Sequence, residues 1–361
     1  MSARFDIAIV GAGMAGASLA AELCAHASVV LIEAEDQPGY HATGRSAAFW
    51  TESYGGPVIQ PLTAASGSAL QAGGFLSPRG ALTIGRQGQG ARVEDFARRF
   101  EALGVAVERL GRTDLEARVP GLRADWVHGA LEPSCADIDV GGLHQHFLAQ
   151  ARRGGAQVRT RSRLVAAHRE VGGWRVELAG GARFGCEILV NAAGAWADAV
   201  AAMAGVRPLG IAPLRRTIAQ LSVSPGAPPD LPLVLDIGER FYFRPDAGGV
   251  WLSPHDETPS EPCDAAPDEL DVALAIDRFE QVVEWRIERV THRWAGLRSF
   301  APDRLPVFGF DPRQPGFFWF AGQGGFGIQT APAAAATGAA LLLGRGEPPV
   351  DPQPFLARRF A

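Results

Sequence analysis

Six residues near the start of the chain, Gly11-Ala12-Gly13-Met14-Ala15-Gly16, have the glycine spacing that lets a backbone approach a pyrophosphate closely. The first glycine makes a tight turn, the second leaves room for phosphate, and the third lets a helix pack on the preceding strand. Glu33 lies 22 positions after Gly11 (33 − 11 = 22), close to the ~20-residue spacing of a carboxylate that hydrogen-bonds a ribose hydroxyl. No arginine follows Glu33 directly, and Glu35 adds a second negative charge, which disfavours the 2′-phosphate of NADP. The chemistry open to this set is dinucleotide binding.

A glycine motif alone is weak, so the elements around it decide. Phe5 to Val10 is an apolar, β-rich run ending at the first glycine; Ala17 to Ala25 is alanine-rich; Val29 to Ile32 is a second apolar run ending at Glu33. Strand, turn, helix, strand and acid in that order make a Rossmann-type unit, with the phosphates on the helix N-terminus.

The composition removes many other chemistries. With 361 residues, 47% of them hydrophobic and 20% charged, the chain can bury a large core, which excludes disorder. All 34 basic residues are arginine. Without lysine, Schiff-base and pyridoxal-phosphate chemistry and Walker-A nucleotide hydrolysis lack their amine. A net charge of -5 with no basic run argues against nucleic acid as a partner. Cys24, Cys135, Cys186 and Cys263 lie far apart, which gives neither a zinc site nor a disulfide framework and fits a reducing cytoplasm. His144 and His146 are close in sequence but point in different directions on a helix, and no metal is expected. No basic segment precedes the first apolar stretch, and Ala333 to Leu343 is shorter than the ~20 residues of a membrane span. The expected location is cytoplasmic, or peripheral to a membrane without an integral segment.

Three longer stretches carry a resemblance. Gly39-Tyr40-His41-Ala42-Thr43-Gly44-Arg45-Ser46-Ala47-Ala48 resembles the segment after the second strand of D-amino-acid oxidase-type flavoproteins. Val190-Asn191-Ala192-Ala193-Gly194-Ala195-Trp196 resembles their strand returning to the flavin, and Gly316 to Thr330 resembles their C-terminal flavin loop. The chain is identified as a member of the D-amino-acid oxidase (DAO) family of FAD-dependent oxidoreductases, most similar to bacterial D-amino-acid and D-arginine dehydrogenases.

That resemblance implies an α/β fold in which a Rossmann-type, glutathione-reductase-like FAD-binding domain (1–46, 136–200 and 292–361) is interleaved with an α+β substrate domain (47–135 and 201–291). The substrate domain is expected to stand on a mostly antiparallel sheet, with strands in Thr217 to Val223 and Arg240 to Leu252 and a helix over Leu270 to Ile287. The resemblance adds Arg45, Ser46, Ala47, Gly194, Gly322, Gly325, Gly327 and Ile328 to the FAD contacts of Gly11, Gly13, Gly16 and Glu33. The alanine-rich segment after Ile328 should be a helix with Pro332 in its first turn and its positive end toward the flavin. Since no cysteine follows Cys263, a thioether from the C-terminal region is excluded and FAD is expected to be non-covalent.

The resemblance also implies an amino acid substrate held by its carboxylate so that Cα–H faces flavin N5. Arg216 and Arg298 are the expected guanidinium forks, Tyr242 a hydroxyl on the carboxylate, and Tyr54 a residue of a closing loop. Arg215 and Arg216 are consecutive strand residues that cannot both face the pocket, and the resemblance favours Arg216. Phe49 and Ala81, which with Gly325 complete the expected substrate pocket, replace the histidine and glutamate of the arginine-accepting relative. Trp50, Phe243 and Trp251 are expected nearby. The implied reaction is oxidative deamination of a D-amino acid, neutral or apolar side chains preferred, by hydride transfer to flavin, with hydrolysis to a 2-oxo acid and ammonia. A quinone or O2 would take the electrons. The alternatives are a family enzyme acting on glycine, N-methyl amino acids or 2-hydroxy acids, and a flavin-binding protein without turnover.

Overall fold

The computed structural model describes residues 3–361, and its centre is a sheet whose strand order follows from burial on both faces. Arg4–Val10 lies between two parallel partners, Arg183–Asn191 and Val29–Ile32, with Gln157–Arg159 beyond the latter. Along these strands the side chains alternate. Ile7, Ile9, Leu31 and Val190 join a core with the helices Met14–Leu23, Val140–Arg153 and Ala331–Leu343. Ala8, Val10, Val30, Ile32 and Leu189 face the opposite core, which contains the strand pair Leu164–Glu170 and Gly173–Leu178 and the helix Ala197–Met203. That two-sided burial is why these strands read as unbroken apolar runs. The free side of Arg183–Asn191 is shared: its first half pairs with Gly173–Leu178 and its last residues run parallel to Phe317–Ala321. This is a mixed α/β fold with parallel and antiparallel sheets.

The second large sheet is built around Ala212–Ser224 and Arg286–Phe300, which pair antiparallel from Ala212↔Phe300 to Ser224↔Arg286. Gly249–Ser253, Tyr242–Asp246, Leu233–Asp236, Ala81–Arg86, Trp126–Glu132 and Glu108–Leu110 follow in that order, all antiparallel except the pairing of Leu233–Asp236 with Ala81–Arg86. One face buries Leu82, Ile84, Phe243 and Leu252 against Val272 and Phe279 of the helix Glu269–Glu280. The expected boundary at residue 292 falls inside Arg286–Phe300, which belongs to this sheet along its whole length. A small third sheet joins Phe49–Trp50, Ala136–Ile138 and Leu76–Pro78.

Two expected elements differ in extent. The helix expected to reach Ile287 ends at Glu280, because the Val282 carbonyl accepts from the Arg123 N–H (2.8 Å) and Val282, Val283 and Trp285 enter the core from an irregular turn. Arg240 to Leu252 is not one strand but a hairpin, reversed at Ala247 and Gly248, whose φ angles of 47° and 82° are the positive pair of a tight two-residue turn.

Candidate active site

A cavity of about 440 Å³ is lined at one end by the Gly11 to Gly13 turn and Glu33, and at the other by Arg216, Tyr242 and Arg298. At the first end the turn is fixed from several sides. Gly11 has φ +99°, and a Cβ there would stand 2.5 Å from the Ala192 carbonyl oxygen; a Cβ at Gly16 would stand 1.9 Å from that of Gly11. Gly16 therefore shapes the turn without lining the cavity; Gly322, with φ +71° in the C-terminal loop, does not line it either. Glu33 accepts from the Ala12 N–H (3.0 Å) and the Glu35 N–H (3.0 Å), and Thr43 Oγ1 accepts from the Met14 N–H (2.9 Å). Nε2 of buried His144 lies 2.8 Å from the Ala12 carbonyl; burial lowers its pKa, so the neutral ring donates there. A Cβ at Gly13 would meet only Thr43 Oγ1, at 3.2 Å, so that side of the turn opens to the cavity.

Ser46, Ala47, Gly194, Gly325, Gly327 and Ile328 all line the same space. Arg45 also lines it, but its guanidinium is engaged by Asp264 and by the carbonyls of Ala265 (2.8 Å) and Ala295 (3.3 Å). The alanine-rich segment forms the helix Ala331–Leu343 with Pro332 in its first turn, directly after the lining residues Ile328 and Gln329. A helix N-terminus, a glycine turn and a carboxylate at the end of the second strand are the donor and acceptor set that a dinucleotide requires.

At the other end the structure brings Arg216, Arg298, Tyr54 and Tyr242 together. Arg216, not Arg215, faces the cavity; Arg215 pairs with Asp271 (2.8 Å) and Asp268 (3.4 Å) on the neighbouring helix. The Arg216 side chain is 7% exposed, its Nε donates to the Asp256 carbonyl (2.8 Å), and its Nη2 has no hydrogen-bond partner. Arg298 donates through Nη2 to the Tyr54 hydroxyl (2.7 Å) and through Nη1 to Glu257 (3.0 Å). The Arg216 guanidinium sits 5.8 Å from the Tyr242 ring centre, and burial pushes the Tyr242 phenol up, keeping it neutral.

The side-chain pocket differs from expectation. Phe49 lines the cavity, together with Ile218, Leu233 and Leu235, but Ala81 does not. Ala81 pairs with Leu233 on the adjacent strand and is 2% exposed, packed with Cys135 behind that wall. Strand alternation explains two of the other three: Phe243 points into the opposite core, and Trp50 turns away to donate to the Thr63 carbonyl (2.9 Å); Trp251 shares the face of Tyr242 but lies further along the sheet, packed on Arg244 (4.0 Å) and Trp294. Arg244, two residues after Tyr242, lies 5.8 Å from the Phe49 ring, with its Nε unpartnered.

Comparison with known proteins decides the family. The profile of the FAD dependent oxidoreductase (DAO) family matches residues 6–341. The chain belongs to this family. Its cofactor is FAD. Hydrogen cyanide synthase subunit HcnC of Pseudomonas aeruginosa is 28% identical over 274 residues, covering 74% of this chain and 63% of that protein. FAD-dependent oxidoreductase domain-containing protein 1 of Xenopus laevis is 26% identical over 191 residues, covering 48% and 38%. The chain thus spans less than two thirds of the length of these curated relatives. Glycine oxidase from Geobacillus kaustophilus superimposes with a TM-score of 0.86 at 21% identity, covering 99% of both chains. L-proline dehydrogenase from P. horikoshii gives 0.83 at 21% identity, covering 97% and 96%. These structures share the fold.

Within this DAO-family chain, several site residues carry no sequence signal of their own. Asp256 and Glu257 stand in a proline-rich stretch that reads as loop, yet they supply the carboxylates around Arg216 and Arg298. Glu132, 2% exposed, accepts from Thr51 Oγ1 (2.8 Å) and the N–H groups of Glu52 (2.8 Å) and Ser53 (3.1 Å), fixing the loop that ends in Tyr54. Gln329 donates to the Tyr54 carbonyl (3.2 Å) from the other side. An acid following a strand run, as Glu132 follows Trp126–Leu131, was the one available hint. Among the described residues no group of three or more His, Cys, Asp or Glu could hold a metal, and no helix is long and apolar enough to cross a membrane.

Proposed function

We propose that the protein oxidises an amino acid bearing one free carboxylate, foremost a D-amino acid with a neutral or apolar side chain, to an imino acid that hydrolyses to a 2-oxo acid and ammonia. The observation that carries this reading is Arg216 Nη2, a buried charged donor without a hydrogen-bond partner, its nearest carboxylate, Glu257, standing 3.6 Å away, in a side chain that lines the cavity beside Arg298 and Tyr242. A buried guanidinium with an open donor is costly unless an anion completes it. A carboxylate does so with two-point geometry. FAD, when bound, supplies the acceptor for the hydride.

The remaining roles fall to the chain. Arg298 and Arg216 grip the carboxylate, Tyr54 fixes the Arg298 fork, and the neutral Tyr242 hydroxyl can donate to the same group. No side chain here is suited as a base for the amine: His255 is pushed down to about 3 by burial and by Arg216, and its Nδ1 is held by the Glu239 carbonyl at 2.7 Å. The substrate amine therefore loses its proton before binding. The lining Phe49, Ile218, Leu233 and Leu235 favours apolar side chains, and Arg244 behind Phe49 disfavours cationic ones. FAD is held without a covalent bond, a quinone or O2 reoxidises it, and the protein works in the cytoplasm or at a membrane surface. Glycine and proline, named for two structural neighbours, also carry a single carboxylate.

Anaerobic bleaching of the flavin absorbance by paired D- and L-amino acids, glycine, sarcosine and 2-hydroxy acids tests this directly. Bleaching by neutral D-amino acids supports it. Bleaching only by glycine, N-methyl amino acids or hydroxy acids transfers the clamp to that substrate class, and no bleaching by any of them assigns the chain a non-catalytic role.

A further inference from the structure

Three arginines meet around one carboxylate; Arg216 and Arg298 line the substrate end of the cavity, and Glu257 and Arg304 stand behind them on the outer side. Glu257 Oε1 lies 3.0 Å from Arg298 Nη1, 2.9 Å from Arg304 Nη2 and 3.6 Å from Arg216 Nη2, while its Oε2 accepts from Arg304 at 2.8 Å. The neighbouring Asp256 is spent differently: its carboxylate accepts from the Thr217 N–H (2.8 Å) and hydroxyl (2.9 Å) and stands 3.7 Å from Arg216 Nε. The cluster thus holds three positive and two negative charges, an excess of 3 − 2 = 1. Tyr242 and His255, which also face it, are held neutral by burial.

The positions are graded from inside to outside. Arg216 and Arg298 are 7% and 13% exposed, Glu257 33% and Arg304 51%. One incoming carboxylate on Arg216 and Arg298 neutralises the excess. A second carboxylate on the same small molecule would reach for Arg304 or the outer side of Arg298, where Glu257 already accepts from Nη2 of the first and Nη1 of the second and presents its own negative charge. Two carboxylates sharing such a site repel each other.

We propose that Glu257 is a specificity-determining residue that limits the clamp to substrates with one carboxylate by neutralising its outer arginine. Removing that charge without changing the shape of the side chain would leave an excess of two positive charges and admit a dicarboxylate. The inference rests on the clamp reading given above.

The test uses the FAD-loaded protein, with acetate and malonate as probes and the visible flavin spectrum as the readout of binding. Glu257→Gln should tighten malonate by about tenfold or more, while acetate changes by less than about threefold. Glu257→Ser, which removes the same charge with a smaller side chain, should give the same change in ratio, and Glu257→Asp should retain the wild-type ratio. Equal tightening of both anions, or no gain for malonate in either charge-removing variant, overturns the proposal. Failure of both anions to bind wild type, with Arg298→Met indistinguishable from it, overturns the clamp itself.

Discussion

A Cβ placed on Gly325 would stand 1.9 Å from Nη2 of Arg298 and 2.5 Å from its Cζ, so the guanidinium lies directly on the backbone of the C-terminal loop. The absence of a side chain at residue 325 is therefore a condition for the position of Arg298. Gly325→Ala should move the guanidinium away from its contact with Tyr54 and lower kcat/KM by about a hundredfold, since displacements of about 1 Å at a positioning group have that effect. FAD content, read from the ratio of visible to ultraviolet absorbance, should stay near that of wild type; an unchanged kcat/KM would contradict the relationship.

Arg298→Met keeps the bulk of the side chain and removes its charge. The expected result is a loss of about two orders of magnitude or more in kcat/KM with FAD retained, because the two-point grip on the carboxylate disappears. Tyr54→Phe removes only the 2.7 Å contact to Nη2 and should lie between this variant and wild type. Steady-state kinetics on the best substrate of the panel would order the three proteins.

Acid precipitation should release FAD into the supernatant. Cys263 is the one cysteine lining the cavity among the described residues, so a pellet that stayed yellow would direct attention to Cys263→Ser. Gly13→Leu should abolish FAD binding, because its side chain would project into the space beside the helix N-terminus.

Neutral or apolar D-amino acids such as D-Leu, D-Met or D-Phe should outrank D-Arg in kcat/KM. Ala81→Glu, which by position alone would restore a partner for a cation, should not reverse the order. Its carboxylate would be placed behind Leu233 beside Cys135, at a cost of about 3 kcal/mol or more if unpaired, and a lowered Tm would reveal it. A D-Arg preference in the Ala81→Glu protein at unchanged Tm would show that the residue reaches the cavity after all.

His255 supplies a pH dependence of stability. In the unfolded chain it takes up a proton below about 6.5, whereas in the folded protein it does so only near about 3. Between those values the unfolded state binds more protons, so folding stability falls as pH drops from about 6.5 toward 3. His255→Asn tolerates the positive φ of 58° at this residue and should flatten that decline in denaturant titrations at pH 4.5 against pH 7.5. Parallel curves for the two proteins would remove His255 as the cause.

The readability of the chain divides along a physical line. Phe5 to Val10, the glycine turn and Val29 to Ile32 are legible because strand, turn and acid are consecutive and each choice agrees with its neighbours. Arg216 against Arg215 was open to strand alternation alone, which says that the two diverge but not which of them faces inward. Ala81 was misplaced for the same reason: a linear position cannot show that the wall residues Leu233 and Leu235 belong to the next strand. Glu257 was invisible because it meets Arg216 and Arg298 across 41 positions in each direction (257 − 216 = 41 and 298 − 257 = 41).

The pairing of Ser299 with Gly324 and of Phe300 with Gln323 stitches the far end of the second sheet to the loop that lines the cofactor end of the cavity. Arg298 is the next residue along that strand. A hinge that swung the two large sheets apart like the covers of a book would have to tear this ladder, separating the clamp from the very loop it leans on. Entry and exit that leave the ladder whole are confined to short segments at the rim. Gly55-Gly56, with φ of 98° and 82° just beyond the anchored Tyr54, is one such segment, so traffic through this site would be governed by a door rather than by the walls.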